Sequence, residues 1–260
     1  MDTKNLFSQY AQAIRSLNLQ AVTDANSIPK GFLLGQDGKL TAHYIPFDCV
    51  NAAAKVVLVG ITPGFTQWKN AMMEAQRQLS AGAALDAAQL AAKQTGGFSG
   101  AMRPNLIRLL DRISMHQWLK IDSCSSLFDT HYSLVQTTSI LRHPVFVDGA
   151  NYNGTPSMVK TPFLRQQMLD HFAQEAAQMS NPVYIPLGPK ASEGLAWLAA
   201  EGVIKAERVL DGLPHPSGAN AERIAYFLGE KTKTALSTKT NGDKLDQIRS
   251  TLTKQIAAIA

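Results

Sequence analysis

Two short segments carry residue types and spacings that could do chemistry: GITPG at 60–64 and LPHPSGAN at 213–220. In the second, His215 stands between Pro214 and Pro216. Each proline ring locks its own φ, so this imidazole is mounted on a backbone with little freedom, unlike an ordinary surface histidine. In the first, Thr62-Pro63-Gly64 is a stretch from which a backbone N–H and a Cβ have been removed. Other chemistries lack their residues. The six histidines form no short ligand pair, which argues against a metal enzyme. GFSGA at 97–101 lacks the Gly-x-Ser-x-Gly spacing of a serine elbow. Cys49 and Cys124 are the only cysteines, too few for a four-cysteine zinc or iron–sulfur site, and they read as reduced, mostly buried thiols.

The elements that must position these loops are legible from periodicity. KVVLVGI (55–61) and VYIPL (183–187) are apolar runs without alternation, the pattern of strands buried on both faces of a parallel sheet. Further strands are predicted near Tyr132–Thr138 and over RVLDG (208–212), and GQDG at 35–38 reads as the turn of a small hairpin. Helical spacing predicts an opening helix over 5–19, two Ala-rich helices over 66–95 broken at Gly82, and helices over 103–113, 163–179, 190–200 and 220–228. HPVFVDGANYNGTP (143–156) is predicted as a long polar loop. Strands alternating with helices predict an α/β fold. Ligands of such folds bind at the carboxyl ends of strands, where the loops after 61 and after 212 both lie. No repeat or linker divides the chain, so one domain is expected over 1–230, with its core at 50–230. A polar linker and an amphipathic helix packing on that domain are expected over 231–260.

In this order, GITPG (60–64), GGFSGAMRPNLIRLLDRI (96–113), VYIPLGPKASEGLAWL (183–198) and HPSGAN (215–220) resemble motifs of the uracil-DNA glycosylase superfamily. Each motif alone is weak, but their ordered combination covers roughly residues 50–230. The resemblance implies a three-layer α/β/α fold with a central, mainly parallel, roughly four-stranded sheet. It implies an enzyme that extrudes a nucleotide from DNA and cuts the bond between base and sugar, without cofactor or metal. Cleavage leaves a cationic sugar and an anionic base, so a donor aimed at the base oxygen stabilises the transition state more than the ground state. His215 is implied as that donor and Phe98 as the platform on which the base stacks, with a plain core role for Phe98 as the other reading. Pro63, Ser217 and Gly218 are implied contacts to the DNA backbone. Asn220 is implied as a minor-groove residue, or reads as a plain helix N-cap.

The chain departs from the family at several points. Thr62 stands where the family usually has the Asp or Asn that positions the attacking water, so a water-holding role falls to its hydroxyl. Thr138 stands at or near the place of the Asn that reads the uracil edge. Gly64 replaces a side chain that in tight uracil pockets blocks substituents at C5. An open C5 edge favours a hypermodified cytosine of phage DNA, such as a glucosylated hydroxymethylcytosine, with Asn151 and Asn153 reading its hydroxyls. Uracil or hydroxymethyluracil repair is the alternative, and a degenerate protein that binds modified DNA without cutting it is a third. A lyase would need a Schiff-base lysine, and Lys69, the nearest, lies in the helix beyond the first motif.

The formal charge is +5, from 25 Lys and Arg against 20 Asp and Glu, which favours a polyanionic partner such as DNA only mildly. Residues 201–260 hold nine basic and seven acidic side chains, so the excess forms no polybasic tail. No apolar run approaches the length of a signal peptide or membrane span. A cytoplasmic monomer is expected.

Overall fold

The structure, a computed structural model, describes residues 6–98 and 102–259. Its strands are β1 (Leu33–Asp37), β2 (Leu40–His43), β3 (Val56–Gly60), β4 (Val135–Ser139), β5 (Val145–Val147), β6 (Ala150–Asn151) and β7 (Val183–Pro186). The helices run in order: α1 (Leu6–Arg15), α2 (Phe65–Ser80), α3 (Leu85–Gly96), α4 (Met102–Arg112), α5 (Met115–Leu119), α6 (Pro162–Gln167), α7 (Gln174–Ala176), α8 (Pro189–Ala200), α9 (Ala221–Leu228) and α10 (Gly242–Ala257). The fold is therefore mixed α/β with two sheets, one of them parallel and three-stranded in the order β4-β3-β7. Where a fourth parallel strand was predicted over 208–212, a single bridge from Val209 to Tyr184 remains. Gly212, at φ +111, turns the chain away directly after it. None of the described helices is long and apolar enough to cross a membrane.

The chain divides into two compact units. The first comprises Met1–Ala52, Gly60–Gly97 and Thr137–Gln178. It holds the second sheet, antiparallel in the order β1-β2-β5-β6. The predicted hairpin at 35–38 is β1–β2. The predicted polar loop at 143–156 is corrected, because it contains a second hairpin, β5–β6, turning at Asp148 (φ +50) and Gly149 (φ +78). Positive φ at both turn residues is the primed hairpin turn that Asp-Gly favours. Phe146 and Val145 of this hairpin are buried, as is Tyr152 after it.

The Ala-rich helices α2 and α3 serve as scaffold in this unit. Ala71, Ala75, Ala88 and Ala92 are all buried, and the core they join includes Phe7, Phe32, Tyr44 and Trp68. Small side chains let backbones approach closely: a Cβ on Gly96 would lie 2.8 Å from the Phe47 ring and 3.0 Å from Ala71. Trp68 is wholly buried, and its indole N–H donates to the Tyr44 carbonyl at 2.8 Å, so no polar group is left wanting. The helix predicted over 163–179 is present but not uniform. Between α6 and α7, Met168–Ala173 is wound as a π-helix, a rare form often found at functional sites.

The second unit comprises Ala53–Val59, Phe98–Gln136 and Met179–Ala260. Val56, Leu58, Val183 and Ile185 are buried from the parallel sheet, with Leu106, Leu109 and Leu110 of α4 in the same core. Leu252 and Ile256 of α10 belong to that core as well. Glu222 of α9 ties down the segment before α10, accepting from Lys231 Nζ at 2.7 Å and from the Ser237 and Thr240 hydroxyls. Helix ends follow local rules: Pro189 opens α8, and Gly229 closes α9 at φ +85.

Candidate active-site residues

In the first unit the GITPG loop leaves β3 and enters α2. Its backbone is paired on one side, with the Gly60 and Ile61 carbonyls accepting from Ile140 and Leu141 N–H at 2.9 Å each. The Thr62 hydroxyl donates to the His143 carbonyl at 3.0 Å and accepts from Val145 N–H at 3.1 Å. Its only proton is thus spent on tethering the start of β5, and one lone pair is left to orient a water. Pro63 is buried, while Gly64 N–H donates to Gln67 Oε1 at 2.7 Å. The space above Gly64 is not empty. A Cβ there would meet Nδ2 and Oδ1 of Asn151 at 3.3 Å each, so the hairpin brings Asn151 onto the first motif. Asn151 Oδ1 accepts from Phe65 N–H at 2.9 Å, which satisfies one free donor at the start of α2. Asn153 sits apart from this pair, its Oδ1 taking Thr155 N–H at 3.2 Å in a local turn. Lys69 donates to the Val22 carbonyl at 2.7 Å.

Thr138 is buried on β4 and belongs to a network that sequence reasoning missed. Its hydroxyl donates to Glu175 Oε2 at 2.9 Å, and Arg142 donates to the same oxygen at 3.0 Å. Arg142 also reaches the His171 carbonyl at 2.6 Å. The side chains of Arg142 and Glu175 are only 5% and 1% exposed, so this is a buried ion pair that joins the segment after β4 to α7, just past the π-helix. Beside it the rings of His143 and His171 meet edge to face, with centroids 4.5 Å apart. Burial pushes His143 far below the usual imidazole range, with His171 and Arg142 adding repulsion. His171 is pushed down to about 4, by burial first and then by Arg142, against the opposing pull of Asp170 and Glu175. His43 is also pushed down to about 4 by burial.

Those depressed values make an acid-labile unit. An unfolded histidine titrates near 6.5 and binds a proton that its buried counterpart refuses. The stabilisation from neutral burial is therefore complete above about pH 6.5 and is lost as pH falls from there towards 4. The melting temperature is expected to fall steeply across that window, and His43→Phe with His171→Phe should flatten the slope. An unchanged slope in the double variant would locate the acid sensitivity elsewhere.

In the second unit, Phe98 is 8% exposed and belongs to the apolar core, at φ +45. A bulky residue at positive φ is strained and persists only where its surroundings impose it. The turn at 213–220 holds His215 half-buried. The Ser217 N–H donates to His215 Nδ1 at 3.2 Å. A backbone N–H can only donate, so Nδ1 must be the unprotonated nitrogen and the neutral ring carries its proton on Nε2. Burial lowers the His215 pKa, which keeps the ring neutral at physiological pH. The ring lies on Gly188, at φ +96 and ψ 168, a conformation open essentially to glycine alone. A Cβ on Gly188 would come within 3.1 Å of His215 Cδ2. Gly188→Ala is expected to cost about 1–3 kcal/mol in backbone strain alone and to displace the ring. Denaturant unfolding and the His215 NMR spectrum read the two effects separately.

The rest of the turn is held by its own side chains. Gly218 is exposed, and Asn220 occupies the N-cap position of α9 without capping it through its side chain. Its Nδ2 donates instead to Ser217 Oγ at 3.3 Å, and its Oδ1 accepts from Arg223 at 2.9 Å. Arg223 is an exposed cation next to the turn that sequence reasoning passed over, although its spacing of three from Asn220 on a helix was visible. Among the described residues no group of His, Cys, Asp and Glu is arranged to hold a metal ion.

Comparison with known proteins adds one relative. Over 231 residues the chain is 33% identical to the uncharacterized protein YoxB of Bacillus subtilis (strain 168), covering 88% of this chain and 90% of that protein. The chain belongs to the YoxB family. No family model matches it, and no solved structure does. The share covered on both sides means that the YoxB likeness spans both units, from the GITPG loop to the histidine turn, rather than one motif.

Proposed function

We propose that the chain is a monofunctional DNA glycosylase that extrudes a modified pyrimidine nucleotide and releases its base, leaving an abasic site. One observation carries this reading: a neutral His215 whose Nδ1 is occupied by Ser217 N–H, so that Nε2–H is available as a donor. A departing pyrimidine builds negative charge on its exocyclic carbonyl oxygen, and a preorganised donor there is worth more in the transition state than before it. A neutral donor serves this better than an imidazolium, because it holds the anion without competing to protonate it. The three-layer α/β/α arrangement, with Pro63, Ser217, Gly218 and Asn220 along the DNA, is part of the same proposal, while the burial of Phe98 favours its core role over that of a stacking platform.

The Asn151 amide beside Gly64 supports a substrate with an oxygen at that edge. Its carbonyl is engaged by Phe65 N–H, so it has its NH2 to offer, which suits a hydroxyl or carbonyl acceptor. A C5 hydroxymethyl or glucosylated hydroxymethyl group on cytosine fits that chemistry, and hydroxymethyluracil is the alternative. Binding of modified DNA without cleavage is favoured by one fact, the double engagement of the Thr62 hydroxyl. Incubation with duplexes and single strands carrying uracil, hydroxymethyluracil or glucosylated hydroxymethylcytosine, followed by alkaline cleavage, separates the three. Release of the glucosylated base ahead of uracil is expected. Faster loss of uracil removes the phage-defence substrate, and binding with no abasic site from any strand removes the enzyme.

A Schiff-base mechanism is disfavoured by the tether of Lys69 to the Val22 carbonyl. Lys69→Ala should release base as the parent protein does, and borohydride should trap no covalent complex with DNA.

A further inference from the structure

We propose that Asn105 is a positioning residue that sets the tautomer and direction of His215 through a single peptide plane. Asn105 lies in α4 and its Nδ2 donates to the Pro216 carbonyl at 3.0 Å. A carbonyl can only accept, so the amide nitrogen must be the end that faces it. That carbonyl and the Ser217 N–H are the two ends of one peptide unit, which is planar and trans. The N–H therefore points opposite to the carbonyl, and it meets His215 Nδ1 at 3.2 Å. Holding the oxygen at one end fixes the hydrogen at the other. The two hydrogen bonds also polarise one another across the amide, which strengthens donation to Nδ1.

The surroundings allow this plane few alternatives. Pro216 precedes it with a locked φ. His215 cannot swing away on the other side, because its ring rests against Gly188. Upstream, the Ser192 hydroxyl donates to Asp211 at 2.5 Å and lies 3.1 Å from the Gly188 carbonyl, bracing the start of the turn against α8. Without Asn105, the Pro216–Ser217 peptide loses the hydrogen bond that ties it to α4, and its N–H is free to rotate off Nδ1. His215 then exchanges between its two neutral tautomers, and in one of them Nε2 bears no proton.

The inference rests on the reading of His215 as the donor to the departing base, but its first measurement does not require activity. Long-range proton–nitrogen correlation spectra of labelled protein report which ring nitrogen of His215 is protonated. The parent protein is expected to show the Nε2–H form. Asn105→Leu and Asn105→Asp, which remove the donor, should shift it to a mixture of tautomers and slow base release by about 100-fold, with DNA affinity unchanged. Asn105→Gln, which keeps an amide donor, should recover most of the rate. Asn105→Ala replaces any donor-free variant whose melting temperature shows that it does not fold. An unchanged His215 spectrum in folded donor-free variants overturns the inference, as does an unchanged rate. Failure of the parent protein to release any base overturns the proposed function instead, while the spectra still decide the role of Asn105.

Discussion

His215→Ala is expected to lower base release by about 10²–10³-fold while leaving DNA affinity within a few-fold of the parent. The separation is the point of the experiment. A donor to a developing oxyanion acts in the transition state, so its loss appears in the rate of the chemical step under single-turnover conditions. A residue that merely contacts a phosphate or shapes the turn would lose binding and rate together. Ser217 N–H loses its acceptor in this variant, but the peptide remains tied to Asn105, so the turn has a reason to persist. His215→Gln is the sharper companion, since it restores a neutral N–H donor of different reach and should recover part of the rate. Equal loss of affinity and rate in His215→Ala would remove the histidine from the chemistry.

Glu175→Leu is expected to destabilise the protein by about 3–5 kcal/mol, because it strands the buried Arg142 guanidinium. The cost comes from the partner left behind, not from the worth of the pair. Thr138 also loses the acceptor of its hydroxyl, which adds a second unsatisfied group in the same dry region. The double variant Glu175→Leu with Arg142→Met should recover much of the loss, since well-packed apolar side chains often replace a buried ion pair at little cost. For a chain of this size each kcal/mol moves the melting temperature by roughly 2–4 °C, so the single variant should melt on the order of 10 °C lower. If the double variant is as unstable as the single one, the ion pair is not what Glu175 contributes. Base release by the double variant then tells whether Thr138 depends on this carboxylate for its position, as a residue reading the base edge would.

Much of the fold was legible because it depends on consecutive residues. Apolar runs without alternation marked β3 and β7, and helical spacing marked α2, α3, α8 and α9. The β5–β6 hairpin escaped notice although Asp148-Gly149 is a strong turn signal. Its strands are three and two residues long, too short for periodicity to show, and β5 is held by a partner, β2, a hundred residues earlier. The strand predicted over 208–212 shrank to one bridge because nothing local tells a paired extended segment from an unpaired one.

The sequence by itself determined that His215 would sit on a stiffened turn, that Thr62-Pro63-Gly64 would be a loop after a buried strand, and that the Ala-rich insert would be helical. These follow from φ restrictions and from side-chain period, which neighbours in the chain impose on each other. Tertiary structure alone decided what each polar group is bonded to. Asn105 lies 111 residues from Pro216, and Asn151 lies 86 from Phe65, so neither bond could be read from spacing. The same holds for the Thr138–Glu175 and Arg142–Glu175 contacts, which span 37 and 33 residues. A histidine's tautomer, a threonine's spare lone pair and a glycine's open side are set by these distant partners. Directional bonds form where the packed backbone brings a donor to an acceptor, and no local propensity encodes that meeting.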